Sequence, residues 1–231
     1  MKKQFFSIVV MAFFVVSTAQ SAIIYDNDFE NLLDPLLEWS NTSTDNTPGT
    51  TQHPTDRFLG QFGNDTVSLT LNNLPSHNKL TVLFDLYVIR TWDGNRTFDG
   101  PDVWDLSITD GPMLLHTTFN NLDGYPEVYP QAYPGTYPDA SNPPRTGSLE
   151  NNTLGFLYPR FNPDDIVDCI YRLSYQFDHS SSSIEINFSA SGLQILTDES
   201  WGIDNVMITP EPATVLLFGL GGLGLLRKRR A

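Results

Sequence analysis

The sequence predicts an all-β protein, a jelly-roll-like antiparallel β-sandwich set between two processing segments. Three observations predict it. Apolar and polar residues alternate with a period of two in one segment after another. No amphipathic helical pattern appears between the two ends. Asn, Asp, Gly and Pro punctuate the alternating runs.

In chain order, residues 1–22 come first and read as a secretory leader. Lys2 and Lys3 form the charged region, Phe5 to Val16 the apolar region, and small residues run through Ala22. Cleavage after Ala19 and after Ala22 both fit. The body, residues 23–208, holds the alternating segments. Candidate strands cover Ile23 to Phe29, Val67 to Leu71, Leu80 to Val88, Trp104 to Ile108, Met113 to Phe119, Tyr171 to Phe177, Ile184 to Phe188 and Gly202 to Ile208. The nearest thing to a helix, Leu32 to Leu37, is short and broken by Pro35.

Residues 120–165 depart from this pattern. Tyr-Pro dipeptides recur every fourth residue, with Tyr125, Tyr129, Tyr133 and Tyr137 each followed by proline. Proline at that spacing forbids helix and continuous sheet ladder alike. The segment is expected to be an extended or turn-rich loop on the sandwich. Tyrosines in an exported protein suggest glycan contact through their ring faces. In a polyproline II helix, however, residues four apart turn by about 120° and sit roughly 12 Å apart along the axis. A straight segment would therefore scatter the rings, and one or two are expected to fold back onto the body.

The chain ends, at residues 209–231, with Pro210-Glu211-Pro212, an apolar run of 14 residues from Ala213 to Leu226, and the basic cluster Arg227, Lys228, Arg229 and Arg230. As a helix that run would span about 21 Å, short of a bilayer's roughly 30 Å core but within reach of snorkelling arginines. The basic cluster marks the cytoplasmic side, which leaves the body outside the inner membrane. Gly219 to Gly224 match the spacing of a dinucleotide-binding loop, but no strand precedes them and no acidic residue follows; small residues in a membrane helix explain them better.

Charge excludes one class of partner. Of 13 basic residues six lie in the two ends, and of 27 acidic residues only Glu211 does. The body therefore keeps 7 against 26, a net charge of −19. Nucleic acid needs cations that this surface lacks. The surplus carboxylates leave oxygen ligands for hard cations such as Ca²⁺. Cys169 is the only cysteine, so no internal disulfide exists, and its apolar neighbours mark it as a buried hydrophobe.

Catalytic signatures are missing. His53, His77, His116 and His179 form no metal-ligand spacing, and there is no nucleophile elbow or phosphate loop. Asp99, Asp102 and Asp105 beside Phe98 and Trp104 are the nearest acidic cluster, and turn chemistry accounts for Asp99-Gly100-Pro101-Asp102. No catalytic residues are assigned and the body is read as non-catalytic. The rival reading is a secreted polysaccharide-cleaving hydrolase or lyase, which needs only two well-placed carboxylates. The five Asn-x-Ser/Thr sites at Asn41, Asn64, Asn95, Asn151 and Asn187 read as turn and strand residues.

Two resemblances sharpen this. Pro210-Glu211-Pro212, the Gly/Leu-rich run and the terminal arginines resemble, in that order, the PEP-CTERM sorting signal. The resemblance implies processing by an exosortase and by signal peptidase, transient anchoring in the inner membrane of a Gram-negative-type cell, and release to the outer envelope, cell surface or extracellular matrix. That system accompanies exopolysaccharide production and biofilm formation, and the non-catalytic body is read as structural or glycan-binding in that setting. The opening Asn27-Asp28-Phe29-Glu30 with Trp39, and the closing Trp201-Gly202-Ile203-Asp204-Asn205-Val206, resemble jelly-roll domains of the MAM and carbohydrate-binding-module type, without the MAM cysteines. That likeness implies that the first and last strands meet. Asp28, Glu30 and Asp204 would then converge on a structural Ca²⁺.

One outcome follows for sorting. The mature protein is expected to start between Gln20 and Ile23 and to end near Thr209 to Pro212. Replacing Pro210, Glu211 and Pro212 with alanine should trap it at the inner membrane. Intact Arg227 to Ala231 in the mass spectrum of surface material would overturn this.

Overall fold

The computed structural model describes residues 23–122, 129–158 and 163–211. The leader, Tyr125, Pro212, the apolar tail and its basic cluster lie outside the described residues. Eleven strands appear among those described: β1 (Tyr25–Asn27), β2 (Thr44–Asn46), β3 (Arg57–Phe62), β4 (Thr66–Asn72), β5 (Lys79–Arg90), β6 (Val103–Ile108), β7 (Met113–Thr118), β8 (Glu150–Asn151), β9 (Asp168–Asp178), β10 (Ser183–Ser191) and β11 (Glu199–Pro210). No helix among the described residues is long and apolar enough to cross a membrane.

The strands form two sheets. The larger runs β2-β3-β11-β5-β9-β8, with β1 also bonded to β11; the smaller runs β4-β10-β6-β7. Every pairing is antiparallel. Alternation dictates what lies between them. Leu80, Val82, Phe84, Leu86 and Val88 of β5 point inward, as do Val67, Leu69 and Leu71 of β4 and Ile184, Ile186 and Phe188 of β10. Phe188 is fully buried, and its ring meets Trp39, Phe84 and Trp104 at centroid distances of 5.7, 5.2 and 6.4 Å. First and last strands meet as expected: Tyr25 pairs with Ile208 and Asn27 with Val206.

The larger sheet is buried on both faces over part of its length. Outside it, Phe58, Tyr87, Ile89, Leu154, Phe156 and Ile170 form a second cluster. The carboxylate of Asp168 holds the overlying segment in place. It accepts the backbone N–H of Thr153, Leu154, Gly155 and Phe156 at 2.9 to 3.1 Å. Burial pushes this carboxyl up, and the four amides pull against it.

The described part of the Tyr-Pro segment, from Tyr129 on, turns repeatedly against the sandwich rather than running straight. The amides of Tyr133 and Tyr137 donate to Thr118 and His116 of β7. The proline between them has no N–H to give, which keeps the contact intermittent. Tyr133, half-buried, packs against the main core, its ring 5.0 Å from Phe119 and 5.3 Å from Tyr171.

Replacing Phe188 with alanine removes the ring that locks the two sheets and leaves a cavity. Unfolding in denaturant should show a loss of about 3–5 kcal/mol. A loss under 1 kcal/mol would mean that this ring does not lock the sheets.

Candidate functional site

β5 and β11 lie side by side, with Arg90 opposite Glu199 at one end of the ladder. Just past that end, three acids from three places in the chain come together. Asp93 follows β5, Asp102 precedes β6, and Glu199 opens β11. One carboxylate oxygen from each lies within 4.8 Å of the others. It is the one such group among the described residues. All three are buried, Asp102 and Glu199 completely so.

Local structure sets this cluster. The Asp102 N–H donates to the Gly94 carbonyl, which folds residues 93–102 back on themselves. One oxygen of Asp102 accepts the Asp93 N–H, and one oxygen of Glu199 accepts the Gln194 N–H at 2.7 Å. The other two, Asp102 Oδ1 and Glu199 Oε1, are buried with no hydrogen-bond partner. A glycine is required nearby: a Cβ on Gly192, whose φ is +88°, would overlap the Pro101 carbonyl.

Two arginines of the described residues lie near this end, and neither reaches Asp102 or Glu199. Arg96 reaches Asp93 at 3.5 Å but also Asp99 at 2.9 Å, and its guanidinium lies 4.5 Å from the centre of the Tyr129 ring. Arg90, opposite Glu199, directs its guanidinium to Gln61, Ser200 and the Phe156 ring instead. Burial, aided by mutual repulsion, therefore pushes the Asp102 carboxyl up to about 8 and that of Glu199 up to about 9.

Asp28, Glu30 and Asp204 do not form the expected metal site. Asp28 and Glu30 lie beyond Asn27, the last paired residue of β1. Asp28 accepts the Glu30 N–H in a local turn, and Glu30 accepts the Arg57 N–H at 2.6 Å. Asp204 is buried elsewhere, accepting from the Tyr87 hydroxyl at 3.0 Å and from the Asn205 side chain at 2.9 Å. A register shift in β11 between Asp204 and Met207 lets Ile203 and Val206 both face the main core, leaving Asp204 on the outer side with Tyr87. Meeting strands were a correct expectation; shared direction of the three side chains was not.

Sequence reasoning named Asp102 as part of a weak cluster and missed Asp93 and Glu199. Their partnership spans 106 residues, and only the β5–β11 register reveals it. The tyrosines divide as well. Tyr133 is committed to the core, Tyr129 to Arg96, and Tyr137 lies edge-on to His116 at 6.1 Å.

A different surface is open to solvent. The outer face of the smaller sheet carries a depression of about 520 Å³ lined by Thr70, Asn72, Thr109, His179, Ser183 and Glu185, among others. Glu185 accepts from the Thr109 hydroxyl at 2.6 Å, and Ser68 donates to Asn187 at 2.6 Å. His179 stacks on His77 with a 2.7 Å contact between ring nitrogens; burial, then the neighbouring His77, push His179 down.

The far end of β11 runs directly into the tail. Pro210 pairs with Leu80, the Glu211 N–H donates to the Lys79 carbonyl at 3.0 Å, and Gln176 donates to the Glu211 carboxylate at 2.6 Å. Residues 209–230 match the PEP-CTERM protein-sorting motif. The PEP-CTERM motif implies processing by an exosortase and indicates a secreted, membrane-transiting protein. No curated protein matches the chain. Dimeric latent PorU from Porphyromonas gingivalis is similar at 12% identity over 66% of this chain, with a TM-score of 0.37; the chain spans 10% of PorU. A carbohydrate-binding module, CBM6cm-2 of Cellvibrio mixtus lichenase 5A in complex with cellotriose, is similar at 11% identity. That likeness covers 83% of this chain and 100% of the module, with a TM-score of 0.33.

Asp204 generates a pH dependence. Burial, with Asp56 and Asp85 adding repulsion, raises its carboxyl to about 8, while Asn205 and Tyr87 oppose the rise; Arg172 is bound to Asp85 at 2.7 Å. The folded state holds this proton more tightly than the unfolded state. The contribution is full below an ordinary carboxylate pKa of about 4 and is lost as pH climbs through 8. One pKa unit is worth ~1.4 kcal/mol, so on the order of 4 kcal/mol of this contribution should disappear between pH 5 and 8. Asp204→Asn should make that part of the stability profile less steep, with Asp102 and Glu199 supplying the slope that remains. A profile identical to the parent's would exclude Asp204 as a source.

Proposed function

We propose that this is an exosortase-sorted extracellular protein whose β-sandwich binds a polysaccharide of its own cell's matrix without cleaving it. The observation that carries the reading is the open depression on the smaller sheet. Its walls offer hydroxyl, amide, imidazole and carboxylate groups from β4, β6, β10 and their loops. Such a surface can exchange its hydrogen bonds to water for hydrogen bonds to sugar hydroxyls, directly or through bridging waters, with a modest net gain per bond.

Binding is favoured over cleavage by where the altered acids lie. General acid catalysis wants a carboxyl with a raised pKa within reach of the substrate. The carboxyls that burial raises, those of Asp102, Asp168, Glu199 and Asp204, are at most 1% exposed and line no part of the depression. Two tyrosines of the repeat are engaged within the protein, Tyr133 against the main core and Tyr129 against Arg96, which favours the depression over the repeat as the contact surface.

The test is retention of the purified protein on the host's exopolysaccharide, with assays for new reducing ends and unsaturated products. Retention without products is the expected result. Ser183→Lys, at the exposed rim, should weaken retention roughly tenfold by crowding the hydrogen-bonding wall. New products would establish the polysaccharide-cleaving alternative. Neither retention nor products would leave a purely structural scaffold.

A further inference from the structure

We propose that Asp93, Asp102 and Glu199 bind one Ca²⁺ ion, which ties the loop after β5 and the entry to β6 to the start of β11.

The two orphaned oxygens carry the argument. Asp102 Oδ1 and Glu199 Oε1 belong to completely buried side chains and have no hydrogen-bond partner, while the other oxygen of each is held by a backbone amide. Buried carboxylate oxygens without donors are costly, and a cation is the partner that several of them can share. The spacing suits one ion. Two oxygens on opposite sides of a Ca²⁺, each at about 2.4 Å, are about 4.8 Å apart, and one carboxylate oxygen from each of the three acids falls within that span.

The donor set selects the metal class. All three side-chain ligands are hard oxygens, with no imidazole or thiolate in the group, so Zn²⁺ and Cu²⁺ are disfavoured. Mg²⁺ demands a tight octahedron and keeps several waters, whereas Ca²⁺ accepts an irregular cage of protein oxygens. Asp102 and Glu199 have no ion pair among the described residues, and each keeps a buried oxygen without a donor, which a divalent ion would neutralise.

The ion would act on more than its ligands. Arg96, three residues after Asp93, lies against the Phe98 and Tyr129 rings, and the Asn95 amide donates to the Pro130 carbonyl. Fixing Asp93 and Asp102 therefore fixes the loop on which the Tyr-Pro segment rests.

The experiment uses the processed protein isolated from its host, stripped with EGTA and titrated with CaCl₂. Native mass spectrometry should find one Ca²⁺ per chain, and the melting midpoint should rise with added Ca²⁺ and fall again with chelator. MgCl₂ at equal concentration should give a smaller rise. Asp102→Asn and Glu199→Gln should each weaken Ca²⁺ at least about tenfold, because fewer charged ligands lower affinity. Both variants should melt no lower than the stripped parent, since each removes an unpartnered buried acid. Absence of a bound ion in the parent would overturn the proposal without reference to any variant. So would unchanged affinity in both variants, and an equal response to MgCl₂ would overturn the choice of Ca²⁺.

Discussion

The pairing of β5 with β11 is the constraint on which the rest of the structure depends. It runs from Arg90 opposite Glu199 at one end to Leu80 opposite Pro210 at the other. β5 is bonded to β9 on its far side, and β11 to β3 and β1. Everything in the larger sheet hangs from these two strands. Their inner faces supply the middle of the main core, and their outer faces anchor Tyr87 and Asp204. The same ladder fixes both functional poles. The acid cluster forms where it begins, and the sorting motif leaves where it ends.

Acidity is distributed unevenly across this frame. Most carboxylates of the body face water, where like charges repel weakly and keep the protein soluble. A few are inside, and each has a different answer to burial. Asp85 is met by Arg172 through two hydrogen bonds. Asp168 is wrapped by four amides. Asp204 has a phenol and an amide. Asp102 and Glu199 alone among these keep an oxygen with no donor. That contrast is what sets the proposed cation site apart from the acids that serve the fold.

Much of the architecture was legible because period-two alternation survives wherever one face of a strand is buried. β4, β9 and β10 were read directly from it. β3 escaped because Phe58 faces the outer cluster while Leu59 faces the main core, which erases the alternation. β2 and β8 escaped because three and two residues carry no period. The acid cluster was illegible for a related reason. Asp93 and Asp102 look like turn residues in sequence, and Glu199 looks like the end of a loop. Their meeting depends on a register between strands far apart in the chain. The Asp28, Glu30 and Asp204 expectation had the strand pairing right, but the turn after Asn27 and the shift in β11 send those side chains to different places.

The position of β11 has a consequence for the order of events in export. It is the last strand of the body, yet it sits inside the larger sheet with β3, β5 and β1 all bonded to it. A chain that crosses a membrane from its N-terminus presents β3 and β5 first, with the slot between them empty. The edges of β3 and β5 that face the slot stay unpaired until β11 has emerged, although β2 and β9 can pair with their other edges. Cooperative folding of the larger sheet is therefore a late event, completed by the same stretch of chain that brings the sorting motif through. Arrival of the address and completion of the fold are coupled by topology, and a chain cut short of β11 would expose two open strand edges to aggregation.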